Sequence, residues 1–242
     1  MNESLIPQKY RILSGSALKV IALVSMLIDH TAAVLLGNSS VILLRIGARS
    51  LSLYLAMRLI GRLAFPIYAY LLTEGFSHTR SRRNYGIRLF LFALLSELPW
   101  NLEHTGTFRY PSQNVFFTLF LGYLGLCVIE RLETQNGSRL RNTLYLLLLL
   151  VVSRYFRADY GCRGFGFILI LYLLRRRTLY QAVAACCFLS GYLAEGPAFI
   201  PLSLYNGKRG FIRDRVQSLF FYALYPLHML ILYGIRLETI GY

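Results

Sequence analysis

Apolar stretches follow one another through almost the whole chain, and arginines crowd the turns between them. Nine windows carry the pattern, roughly 17–36, 59–77, 86–102, 114–131, 142–156, 161–174, 179–193, 196–206 and 217–236. In lipid an unclosed strand would leave its backbone N–H and C=O groups without partners, so helices are the expected element. The predicted fold is an all-α, polytopic transmembrane bundle of about nine spans, with residues 1–242 forming a single domain and no internal repeat. Several windows are shorter than the roughly 20 residues of a straight crossing, which calls for local thinning or incomplete crossing. The window at 196–206 is the weakest.

Composition agrees with that class: 56% of the 242 residues are hydrophobic and only 15% are charged. The net charge of +15 comes from 26 Lys and Arg against 11 acids. A balance this basic is familiar from nucleic-acid binders. Here, however, the arginines sit between apolar windows, where they act as topology signals and contacts to anionic lipid, so lipids and not nucleic acid are the expected partners. The most basic turns hold Arg80, Arg82, Arg83 and Arg88, then Arg131, Arg139 and Arg141, then Arg175, Arg176 and Arg177, then Lys208, Arg209, Arg213 and Arg215. They fall on alternate turns, all on one side, which the positive-inside tendency makes cytoplasmic; the N-terminus is then inside and the C-terminus outside. Val41 to Met57, with Arg45 and Arg49 among apolar residues, reads as an interfacial helix on the outer face. The polar stretch Met1 to Gly15 leads into an apolar run without a small-residue cleavage site, the pattern of a retained first span.

Cys127, Cys162, Cys186 and Cys187 lack metal-ligand spacing and fall in apolar windows, so no metal is expected. Ionisable residues inside apolar windows are the better guide to function, because they are costly in hydrocarbon. Lys19 and His30 share the first span. Eleven steps of about 100° make three turns plus roughly 20°, which puts both on one helix face about 16 Å apart. An imidazole titrates near neutrality and can serve as a general base, or it can simply fix packing through an interhelical hydrogen bond. Asp29 precedes His30 but points about 100° away, toward an arginine on another helix. Arg62, Glu74, Glu97 and His228, with Asp159 near an outer boundary, are expected to converge on one interior polar cavity, as an enzyme or a transporter would require. His228 follows Pro226, which frees a carbonyl one turn earlier.

Two basic segments have the composition of anion sites. The first runs from His78 to Tyr85 and on to Arg88; guanidinium groups grip phosphate through paired planar donors. The second is Tyr205-Asn206-Gly207-Lys208-Arg209-Gly210, where glycine permits a tight turn that gathers N–H groups and a Lys. Ordinary positive-inside anchoring is the simpler account of both.

Several of these segments together resemble the TraX family. They are Leu18-Lys19-Val20-Ile21-Ala22 through Ile28-Asp29-His30, then Ile60 to Pro66, Glu74-Gly75-Phe76, Thr79-Arg80, Arg88, Ser96-Glu97-Leu98-Pro99 and Asn114 to Thr118. Ala158 to Gly161, Tyr205 to Gly210 and Tyr225-Pro226-Leu227-His228 complete the series. TraX proteins are membrane-embedded acetyltransferases, named for the enzyme that acetylates the N-terminus of conjugative pilin, and they are similar to a wider superfamily of integral-membrane acyltransferases. That superfamily places a basic residue eleven positions before a first-helix histidine, as Lys19 and His30 do here. It also places cytoplasmic arginines before the third span, for which Arg83 and Arg88 are the nearest counterparts, spaced more widely than usual. The segment 41–57 looks longer than the family has at that point.

The resemblance implies a multi-pass protein of the bacterial inner membrane that moves an acetyl group from cytoplasmic acetyl-CoA to an amine or hydroxyl of an envelope or pilin-like acceptor. It implies His30 and Asp29 as the catalytic residues. Lys19, Arg80, Arg83, Arg88, Lys208 and Arg209 would bind the donor. The alternative is a transporter or acyl-group translocator using the same cavity, for which inverted repeats would be expected.

Overall fold

The structure is a computed structural model that describes residues 6–37, 41–46, 49–188, 193–212 and 214–239. Arg213 lies outside the described residues, as do the side chains of Arg49, Cys186 and Arg215. Helices dominate the chain. α1 (Gly15–Thr31) continues into a π-helical turn at Ala32–Leu36, and Gly37 ends it at φ +51°. Then follow β1 (Ile42–Ile46), β2 (Arg49–Ser52), α2 (Leu53–Gly61), α3 (Ala64–His78), α4 (Arg82–Thr105), α5 (Val115–Glu133), α6 (Arg139–Tyr155), α7 (Gly161–Leu173) and α8 (Thr178–Phe188). A 3-10 turn at Leu193–Ala198 leads into the short α9 (Phe199–Ser203), and α10 (Arg215–Thr239) closes the chain.

Each predicted window overlaps a helix among the described residues, but not every helix can cross a membrane. Among the described residues four stretches are long and apolar enough: Gly15–Leu36, Leu53–His78, Val115–Glu133 and Val216–Thr239. Gly161–Leu173 is a shorter apolar helix. The window at 196–206 is not a span, because five-residue α9 covers only about 7.5 Å of a hydrocarbon core about 30 Å thick.

The interfacial helix expected at 41–57 is replaced by a hairpin running into α2. β1 pairs antiparallel with β2, Arg45 opposite Ser50 and Ile46 opposite Arg49. β-branched Val41, Ile42 and Ile46 favour a strand. Ser50 and Ser52 disfavour a helix interior, and Ser52 instead caps α2, its Oγ accepting from the Leu55 N–H at 3.1 Å.

The chain divides into two compact units. The first holds residues 69–100 and 109–188. Its centre is α5, against which α7 packs closely because α5 presents glycine: a Cβ on Gly122 would lie 2.4 Å from Ile168, and one on Gly125 would lie 2.8 Å from Leu169. Phe76, Tyr85, Tyr123 and Tyr172 pack edge to face, with centroids 5.2–5.5 Å apart. The last turn of α5 gathers arginines from two basic turns. Glu130 takes Arg82 at 2.7 Å, and Glu133 takes Arg175 through Nη2 at 2.9 Å and Nη1 at 3.1 Å. Three of the four most basic turns thus meet at one end of this unit.

The second unit holds residues 6–68, 101–108 and 193–239. α2 lies against α1 at Gly61, where any Cβ would fall 2.2 Å from the Asp29 side chain. At the other end of α1 the segment 204–212 supplies the helix with its N-terminal partners. The Gly15 N–H donates to the Lys208 carbonyl at 2.8 Å and the Ser16 N–H to that of Arg209 at 2.9 Å. The Ser16 Oγ donates to the Arg209 carbonyl and accepts from the Ile212 N–H, each at 2.8 Å. Gly210 makes this possible at φ +88°, with room for no Cβ beside Ser14.

Candidate active site

His30 sits in the last turn of α1, directly before the π-helical turn, a distortion often found at functional sites. Its Nδ1 lies 2.8 Å from Oε1 of Glu103, near the end of α4. The histidine side chain is 14% exposed and the glutamate 2%. A carboxylate only accepts, so the proton between them belongs to Nδ1, and the neutral ring carries its lone pair on Nε2. That is how a base is oriented by a third group in catalytic triads. The other Glu103 oxygen, Oε2, is 3.3 Å from His104 Nδ1, and Arg236 of α10 donates to the Glu103 backbone carbonyl at 3.2 Å.

α10 also brings two rings to His30. His228 stands edge to face with centroids 4.9 Å apart, and Tyr225 lies at 6.3 Å. The His228 Nδ1 donates to the Leu224 carbonyl at 2.9 Å, which leaves Nε2 as acceptor; that atom is buried without a hydrogen-bond partner. Pro226 lies inside α10, so its missing N–H is accommodated within a continuous helix. Asp29 pairs with Arg58 of α2 at 2.8 Å, and Arg62 is close enough for its charge to act on Asp29.

The remaining predicted residues fall into separate groups. In the second unit Lys19, Lys208 and Arg209 gather at the start of α1: Lys208 and Arg209 belong to the segment that caps the helix, and Arg209 acts electrostatically on Lys19. The glycine turn there spends its carbonyls on α1. In the first unit Arg80 and Arg83 are exposed at the α3–α4 turn, and Arg88 lies over Tyr85 at 5.6 Å. Glu97 accepts from Asn114 Nδ2 at 2.7 Å, while fully buried Asn114 caps α5 through Phe116. Glu74 lines a cavity on α3, and Asp159 is exposed on the turn before α7.

Glu103, His104, Tyr225, Arg236 and Arg58 were not singled out from the sequence. The predicted third span stops at residue 102, which leaves Glu103 and His104 in a loop, whereas α4 runs to Thr105. One signal was available: the chain has four histidines, and His30, His104 and His228 all touch His30 or its glutamate.

Fold and site together define a helical membrane protein with a carboxylate-held histidine on its first span. Within that class the chain belongs to the TraX family, whose model, described as TraX protein, matches residues 14–236. It is also 29% identical to a Dichelobacter nodosus protein named "Probable fimbrial assembly protein FimC, serogroup H1", over 90% of this chain and 94% of that one. No solved structure matches it.

Proposed function

We propose that this protein is an integral-membrane acetyltransferase of the bacterial inner membrane that moves an acetyl group from cytoplasmic acetyl-CoA to an amine or hydroxyl on an envelope or pilin-like acceptor. The observation carrying this reading is the 2.8 Å pair of His30 Nδ1 and Glu103, which places the lone pair of the neutral His30 ring on Nε2. Nε2 takes the proton of the attacking N–H or O–H as its nitrogen or oxygen forms a bond to the thioester carbonyl. The carbon–sulfur bond then breaks, and the proton passes to the departing thiolate, so atoms and charge balance. Glu103 stays ionised and stabilises the imidazolium formed midway. Membership of a family named for a pilin acetylase, and a relative named for fimbrial assembly, both favour a surface-appendage or envelope acceptor.

With the N-terminus inside, Lys19 and the Lys208–Arg209 segment face the cytoplasm, and His30 lies toward the outer end of α1. Arg80, Arg83 and Arg88 belong to a turn that is then also cytoplasmic, where an anionic donor arrives. Purified protein in detergent, given acetyl-CoA and envelope extract, should release free coenzyme A and acetylate a component that mass spectrometry identifies. His30→Ala should abolish both while the protein stays folded. Full turnover by that variant removes His30 from the reaction, and wild-type protein that makes no product favours a carrier instead.

A further inference from the structure

The turn between α5 and α6 gathers three arginines that no carboxylate answers. Arg131 comes from the last turn of α5, Arg139 and Arg141 from the first turn of α6. Glu130 and Glu133, the acids nearest in sequence, are committed to Arg82 and Arg175, and among the described residues none of the three arginines has an ion-pair partner. Arg131 and Arg139 line a cavity of about 300 Å³ together with Gln135, Gly137 and Asn142. That is the small end of the range for ligand sites, roughly 300–1,000 Å³, with room for a headgroup but not for a whole lipid. A third guanidinium lies against the turn, since a Cβ on Gly137 would fall 2.5 Å from Arg141 Nη2.

Asn142 shows what else the occupant must carry. It is 1% exposed, and its Nδ2 donates to the Asn136 carbonyl at 3.1 Å, which fixes the amide with Oδ1 as the remaining acceptor. Oδ1 is buried and has no hydrogen-bond partner, a costly state unless a ligand reaches it from the cavity that Asn142 lines. The lining therefore asks for an anion with a hydrogen-bond donor close by. Beside three unanswered cations a positively charged donor is disfavoured, which leaves a hydroxyl. α6 adds an apolar strip. From Arg139 the exposed residues Thr143, Leu147 and Leu150 run down one side of the helix at spacings of four, four and three, so apolar surface begins about two turns below the cation. A soluble phosphate compound has no use for such a strip, whereas an acyl chain does.

We propose that this cavity holds the headgroup of an anionic phospholipid of the phosphatidylglycerol type: Arg131 and Arg139 grip the phosphodiester, Asn142 Oδ1 accepts from a glycerol hydroxyl, and one acyl chain lies along Leu147 and Leu150. Such a lipid binds whether or not the protein transfers acetyl groups. Native mass spectrometry of the full-length protein, delipidated in detergent, measures the affinities of phosphatidylglycerol, phosphatidylmethanol and the deacylated headgroup glycerophosphoglycerol. Phosphatidylglycerol should fill one saturable site and bind a few-fold tighter than phosphatidylmethanol, which keeps the charge and lacks the hydroxyl. Arg131→Gln and Arg139→Gln should each weaken it about fivefold, while Arg154→Gln, the same change at the far end of α6, leaves it unaltered. Circular dichroism checks that the variants fold. Wild-type affinity in the doubly substituted Arg131→Gln, Arg139→Gln protein overturns the proposal, and so does equal binding of phosphatidylglycerol and phosphatidylmethanol by the unaltered protein. Glycerophosphoglycerol bound as tightly as the intact lipid overturns the lipid assignment in favour of a soluble phosphate compound.

Discussion

His30 and Glu103 illustrate how a single contact turns a polar residue in a membrane helix into a candidate reagent. Glu103→Gln keeps an oxygen that can accept from Nδ1 but removes the charge that stabilises the imidazolium. The turnover number should fall on the order of 10²-fold with little change in the Michaelis constant for acetyl-CoA, checked by thiol release. Unchanged turnover would reduce the glutamate to a packing role. The Asp29–Arg58 pair, partly exposed on both sides, joins α1 to α2. Asp29→Asn should lower stability by about 1–3 kcal/mol, read as a lower melting temperature in detergent. At this scale the sequence was half legible. The cost of ionisable groups in hydrocarbon singles out His30, His228 and Asp29 without any coordinates. It says nothing of Glu103, because that residue follows the apolar window and acquires its meaning only when α4 carries it back to α1.

Between elements, glycine sets how near the helices come. Gly61→Ala places a methyl 2.2 Å from the near end of the Asp29 side chain, which has no free rotor to move away, so α2 must leave α1. A loss of about 1–3 kcal/mol is expected. Gly234→Ala on α10 is the control, since nothing lies within 4 Å of its Cβ, and the melting temperature should hold or rise slightly. Equal losses in both would show that helix propensity and not contact decides. The helical windows were readable because hydropathy alone makes them helices in lipid. The hairpin at β1 and β2 was not, since apolar residues with two arginines fit an interfacial helix as well, and strand pairing depends on a partner that composition does not reveal.

For the molecule as a whole, the arginine-rich turns carry a prediction about sidedness. Three of them meet at the end of α5 in the first unit, as alternate turns on one side should. In a cysteine-free background, an impermeant maleimide should label Ser112→Cys but not Asn136→Cys in intact spheroplasts, and both after lysis. The reverse pattern would invert the orientation and put His30 at the cytoplasmic end of its helix. Whole-chain order also governs assembly. α1 leaves the ribosome ahead of α2 to α10, yet the carbonyls that satisfy Gly15 and Ser16 belong to Lys208 and Arg209. During synthesis, then, the helix bearing the histidine waits with its first amides unanswered until some 190 further residues have been made. A nascent chain stopped before residue 204 should therefore enter the bilayer with α1 still frayed at its start, open to proteases that the finished protein resists.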